Sequence, residues 1–197
     1  MSLSDELIRH LQGEPLAQIS QQLGVPQAQV ANAAQAALPL LLGALGRNAS
    51  QANGAEALFG ALQKDHAGVA LGSVLGAVLG GGGQGDQILA HVFGGRQSRA
   101  EDALGTATGL GGDRAGQLLR MLAPLVLAYL ARRLFSQQGA ASPAMLGDVL
   151  GKEHQRVIED REGSGGLLGA VLDQDGDGQL GLDDLLKIGG GLFGGKR

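Results

Sequence analysis

Five aspartates crowd into twelve positions near the C-terminal end, at 173, 175, 177, 183 and 184. Carboxylates at every second position of a turning backbone approach a common centre from different sides, so Asp173, Asp175 and Asp177 can converge on one ion. Gly178 follows, where such a chain must turn sharply. A hard divalent cation takes six to eight oxygens, and without one these carboxylates would repel one another. Asp and Gly also favour plain surface turns. Three alternating aspartates followed at once by a glycine seldom coincide by chance, so the segment is read as an oxygen-ligand site for a cation such as calcium.

The same twelve residues, Asp173 to Asp184, resemble the EF-hand calcium loop. That resemblance implies side-chain ligands from Asp173, Asp175 and Asp177 at the first, third and fifth places, and a backbone carbonyl from Gln179 at the seventh. It also implies a water at Gly181, an apolar anchor at Leu180 and closure of the shell by Asp184 at the twelfth place. The family's twelfth residue is Glu; Asp184 is one methylene shorter and favours one oxygen over two. Such a shell binds Ca2+ more weakly and admits Mg2+ as a competitor. The flanking helices are short and Gly-rich, as in truncated bacterial loops and dockerin repeats.

Other motifs carry less. Gly80 to Gly85 contains the spacing GxGxxG, but a dinucleotide site needs a preceding strand and an acid about 20 residues on. The stretch from Gly190 to Lys196 has the glycine and lysine spacing of a phosphate loop, but Arg197 stands where Ser or Thr would hold magnesium. Leu16 to Val30 reads as a helix-turn-helix corner, yet Gln27 to Leu38 offers no Lys or Arg for phosphates, so DNA binding is disfavoured. Gly68, Gly72, Gly76 and Gly80 recur every fourth residue, a spacing read as tight helix packing or a self-association seam, with membrane contact as the alternative. His10, His66, His91 and His154 are scattered, and no HExxH, GxSxG or kinase set accompanies them, so no enzyme is expected.

The elements that must position these residues are helical. Apolar residues make up 44% of the 197, but aromatics only 3%, and Leu and Ala supply most of the rest. The β-branched and aromatic stock of a large sheet is missing, and the chain is predicted to be all-α. Gly occupies 36 positions without a three-residue period, which excludes collagen. A net charge of −4 and a pI near 5.5 give no general attraction to nucleic acid. With no cysteine, disulfides, thiol catalysis and cysteine-bound metals are excluded. The opening residues lack a signal-peptide pattern, and a cytoplasmic location is expected. The runs read as most apolar, Met121–Ala131 and the stretch from His66 to Gly83, are shorter than the ~20 residues a bilayer crossing requires.

The chain also repeats itself. Gly24, Pro39, Leu45 and Arg47 recur as Gly109, Pro124, Leu130 and Arg132, each 85 positions later. Leu58, Leu62, Lys64, Asp65 and His66 match Leu146, Leu150, Lys152, Glu153 and His154 at an offset of 88, and Leu75–Leu79 returns as Leu168–Leu172 at 93. The pattern predicts an N-terminal helix in 1–14, a first helical repeat over 15–95 and a second over 100–193 that carries the loop 173–184. Helices are predicted at 3–13, 16–23, 27–46, 55–66, 68–79 and 86–94, then at 101–108, 112–135, 143–161, 165–172 and 181–188. Pro39 and Pro124 are expected to kink or restart the long helices. Gly80 to Asp86, the counterpart of the metal loop, lacks its first acids and is expected to be metal-free.

The phrases PLLLGALGRNA, DQILAHVFGGRQ and MLAPLVLAYLARR, with the late DxDGDG loop and Gly-Phe-Gly tail, resemble the bacterial domain-of-unknown-function family 937 along nearly the whole chain. The resemblance implies a soluble helical bacterial protein and transfers no catalytic residue; it leaves His91 without a role. The sequence therefore leads to a non-enzymatic, duplicated all-α protein that binds one calcium ion and acts through a protein partner or self-association. A membrane-surface protein using residues 68–80 is the alternative, and a DNA-binding helix-turn-helix protein stands behind both.

Overall fold

The computed structural model describes residues 2–51, 53–66, 68–81, 84–135 and 141–159. Helix α1 spans Leu3–Leu11, α2 Glu14–Leu23, α3 Gln27–Ala49 and α4 Gly54–Ala61, the last running into a π-turn at Leu62–His66. Then come α5 at Leu71–Leu79, α6 at Gly85–Phe93 with a 3-10 turn at Gly94–Arg96, α7 at Gln97–Thr108, α8 at Gly112–Phe135 and α9 at Pro143–Glu159. No strand occurs among the described residues, so the protein is all-α. The metal loop and the helices expected at 165–172 and 181–188 lie outside the described residues.

Local chemistry explains the boundaries. The Ser2 side chain accepts from the Asp5 amide, and the Asp5 carboxylate accepts from the Ser2 amide, both at 3.1 Å, which satisfies two orphan donors at the start of α1. Those bonds hold the Asp5 carboxyl below its ordinary value. Leu3, Leu7 and Leu11, four residues apart, form the buried face of α1. Gly24 and Gly109 end α2 and α7 in the left-handed conformation, at φ of +64° and +68°, where a side chain would be strained. The side chain of Gln29 joins the two corners by donating to the Gly109 carbonyl at 3.2 Å.

The expectation for the prolines is corrected in part. Pro39 and Pro124 each lie inside one continuous helix, α3 or α8, so neither restarts it. Each removes a single N–H, and the packing around these central helices sustains the rest of the ladder. The helix expected from residue 68 starts at Leu71, because Gly68 has φ +76°. The helix expected at 101 starts at Gln97, directly after the 3-10 turn.

Helices α3 and α8 cross at the centre. Along α3 lies α9, and α1 and α2 cover another side of α3; α5, α6, α7 and the π-turn gather on α8. Buried residues from Leu3 to Leu150 make one core. Burying an aliphatic side chain such as Leu38, Leu122 or Val126, all 0% exposed, contributes about 1.5–3 kcal/mol apiece. At the α3–α9 crossing, a Cβ on Gly46 would stand 2.8 Å from the Leu150 carbonyl oxygen, so only glycine permits this approach. Among the described residues, α3 alone is long and apolar enough to cross a membrane by length and composition; 61% of its most apolar window is buried inside the fold.

Candidate functional site

The ligands expected from the sequence, Asp173, Asp175, Asp177, Gln179 and Asp184, lie outside the described residues. Among the described residues, no three His, Cys, Asp or Glu side chains are grouped to hold a metal. Gly85, from the glycine-rich counterpart of the loop, instead opens α6 against α8: a Cβ there would meet the Arg120 carbonyl oxygen at 2.3 Å. Its neighbour Asp86 pairs with the Arg120 guanidinium at 3.3 Å.

A cavity of about 460 Å³ lies between the end of α3, α4, the π-turn and α6. Its apolar wall comes from Leu45, Leu58, Ile88, Val92 and Leu127, and its polar groups are Asn48, Gln51, Asp65, Gln84, Gln87 and His91. Two local devices shape it. The π-turn inserts extra backbone, with Leu62 fully buried while Asp65 lines the cavity. Asn48 donates from Nδ2 to the carbonyls of His91 and Val92, each at 3.0 Å, and so satisfies the end of α6 and ties it to α3.

His91, left without a role by the sequence, belongs to this cavity. Its Nδ1 lies 2.9 Å from the Gln87 carbonyl oxygen, which can only accept, so Nδ1 carries a proton and the neutral ring offers Nε2 as an acceptor. An apolar wall with one carboxylate, one imidazole and several amides suits a small amphipathic molecule whose head forms hydrogen bonds. Composition could not reveal the cavity, because its walls come from four helices, with lining residues from Leu45 to Leu127.

A second polar group joins α1 to α8. The Glu6 carboxylate accepts from the Tyr129 hydroxyl and from the Arg133 guanidinium. The Tyr129 bond, with attraction from Arg133 and Arg9, holds the Glu6 carboxyl below its ordinary range. Burial, then the Glu6 carboxylate, pushes the Tyr129 hydroxyl above its usual value. His10 packs its ring edge on Tyr129 at 5.4 Å and donates from Nδ1 to the Glu6 carbonyl at 2.8 Å. These contacts fasten a helix rather than open a pocket.

The helix-turn-helix reading meets the burial of α3. Val30, Ala33, Ala34, Ala37 and Leu38 of the supposed recognition helix face the core, leaving Ala28, Asn32 and Gln35 outward. The corner therefore serves packing. On the glycine-spaced helix, Gly72 and Gly76 are exposed among the described residues, and a Cβ on either would meet none of them within 4 Å, so within the described body they do not serve tight packing.

A family model described as a bacterial protein of unknown function (DUF937) matches residues 5–133. No curated protein and no solved structure matches.

Proposed function

The chain belongs to the bacterial DUF937 family, and from that premise we propose a non-enzymatic helical protein that binds one calcium ion at 173–184 and acts through protein–protein contact or self-assembly in the cytoplasm. The observation that carries the contact reading is the bare face of α5. Among the described residues, Gly72, Ser73, Gly76 and Ala77 are exposed on a helix with no charged residue, and none of those residues fills the space above both glycines. A second backbone can approach such a face closely. The calcium reading rests on the alternating Asp173, Asp175 and Asp177. Duplication of the body is supported by the matching left-handed ends at Gly24 and Gly109 and by Pro39 and Pro124, each the thirteenth residue of its helix.

Sedimentation velocity on the full chain tests the contact. A concentration-dependent dimer that disappears in Gly76→Asp is expected; a monomer at every concentration sinks self-assembly. Calorimetry on chelator-stripped protein tests the metal: Asp175→Ala with Asp177→Ala should abolish calcium binding, and unchanged binding would remove the site assignment. Asp184→Glu should tighten calcium and weaken competition by magnesium. Co-sedimentation with anionic vesicles, lost in Gly72→Asp, would favour the membrane-surface alternative.

The cavity beside His91 favours a second reading, in which the body holds a small amphipathic ligand with its hydrogen-bonding head at Asp65 and His91. An apolar fluorescent amine should bind there and be excluded by Ala57→Phe, which fills the cavity. Equal binding by that variant would dismiss this reading.

A further inference from the structure

The two central helices have matching surroundings with one gap. Helices α6 and α7 pack on α8 as α1 and α2 pack on α3. Between the halves, α2 reaches α8 and α7 reaches α3; α6 touches α3, and the Glu6 carboxylate of α1 is held by Tyr129 and Arg133 of α8. Leu62 and Leu150, matched in the sequence and both 0% exposed, repeat the relation. The π-turn carries Leu62 onto α8, and α9 brings the Leu150 carbonyl against Gly46 of α3. Helix α5 has no such counterpart among the described residues. It lies on α8, where its Leu71 and Leu75 share a small hollow with Leu125.

The gap shows in the burial of α3. Met121, Pro124 and Leu125, spaced as one face of α8, are all buried. Their counterparts 85 positions earlier are Ala36, Pro39 and Leu40. Leu40 is buried, but Ala36 and Pro39 are only half-buried among the described residues, and Gln35 beside them is exposed. The text of α5 returns later in the chain: Val74-Leu75-Gly-Ala-Val-Leu79 becomes Leu167-Leu168-Gly-Ala-Val-Leu172, outside the described residues. Val74 and Leu75 are the residues that α5 buries, and leucine stands at both matching places, so the buried side keeps its apolar chemistry. Residues 167–172 carry no charge, and water is an unfavourable surrounding for their apolar side chains. Residues 160–166, extended at ~3.3–3.6 Å each, cross roughly 20 Å or more, about two helix diameters, which reaches from α9 to a neighbouring face of α3. We propose that residues 167–172 dock on the Ala36–Pro39 face of α3 as α5 docks on α8, and so complete the core of the second half. This docking rests on the duplication read above.

A spin label on the docking segment of the full chain tests the proposal, and the absence of cysteine lets one introduced thiol carry the label alone. Ala170→Cys puts it at the counterpart of Ala77, which is exposed on α5, so the label should not block the docked side. In nuclear magnetic resonance, backbone amides of Gln35–Gly43 should be broadened more strongly than those of Leu71–Leu79. Adding Leu168→Asp, a change outside the described body, should abolish that broadening and leave the amides of α6 to α8 unshifted. The match of α1–α4 with α6–α9 involves none of residues 167–172, so it survives a failure of the docking. Broadening of no described helix overturns the docking, as does broadening of α5 ahead of α3, or broadening that persists with Leu168→Asp. A mixture of spin-labelled chain and separate nitrogen-15 chain identifies the source of the occupant. Equal broadening of α3 in the mixture would assign the site to a second copy and overturn docking within one chain, whereas its absence there is the expected result.

Discussion

Helix α5 has no charged residue between Leu71 and Leu79 yet buries only Val74 and Leu75, whereas α8 carries Asp113, Arg114, Arg120, Arg132 and Arg133 and buries sixteen residues. The difference is one of position. Helix α8 is surrounded by α3, α5, α6, α7 and the π-turn, while α5 rests on α8 and α2 and, among the described residues, leaves its other side open. The charges of α8 lie toward its ends, so its middle, from Met121 to Ala131, is apolar all round and can be covered all round. An all-round apolar helix is expected inside a fold. In α5 that expectation goes unmet, which is why its open face supports a docking role.

Substitutions should separate the two helices in order of size. Leu122→Ala in α8 removes a fully buried side chain and should cost about 2–5 kcal/mol in urea unfolding, whereas Leu79→Ala in α5 should cost under about 1 kcal/mol. Equal losses would end the comparison. Next, Gly85→Ala drives a Cβ against the α8 backbone at Arg120 and should cost about 1–3 kcal/mol, read as a lowered midpoint with an unchanged slope.

Tyr129→Phe removes the donor to Glu6 and should cost about 1 kcal/mol near neutral pH. Because the folded Glu6 carboxyl titrates below its unfolded value, its stabilisation is complete above the unfolded value and is lost as pH falls through the folded one. The deficit of Tyr129→Phe should accordingly shrink on acidification, and a deficit constant from neutral to strongly acid pH would refute the Glu6 coupling. The smallest effect has the opposite sign. Gly76→Ala fills open space on a helix and should stabilise the monomer by about 0.5–1 kcal/mol in thermal unfolding. A destabilised variant would mean that something already occupies that face.

Much of the fold is legible in local chemistry. The bounds of α8 follow from its apolar period, and the corners at Gly24 and Gly109 follow from helix-ending glycines. The start of α5 is not legible, because Gly68 and Gly72 look alike in a sequence but only Gly68 takes positive φ. The π-turn is hidden for a related reason: Leu62 to His66 continues a helical pattern, and only packing of Leu62 on α8 decides the extra residue. Least visible is the close approach of α9 to α3 at Gly46, since no periodicity encodes contacts between distant segments. His91 stands between these cases. Its phrase is distinctive, but its place beside the cavity depends on Asn48, more than 40 residues earlier.

The buried carboxylate of Glu153, 2% exposed, accepts from the amide and hydroxyl of Ser4 at 3.3 and 3.0 Å, across 149 positions of chain. In time rather than in space, this bond means that α1, made well before α9, is completed only once α9 is in place. Closing so long a loop costs conformational entropy before any contact returns it, which places the capping of α1 late in folding. Until α9 arrives, Ser4 must turn its amide to water and α3 lacks its long neighbour. A chain that stops at residue 133, where the family match ends, would keep α1 permanently in that waiting state.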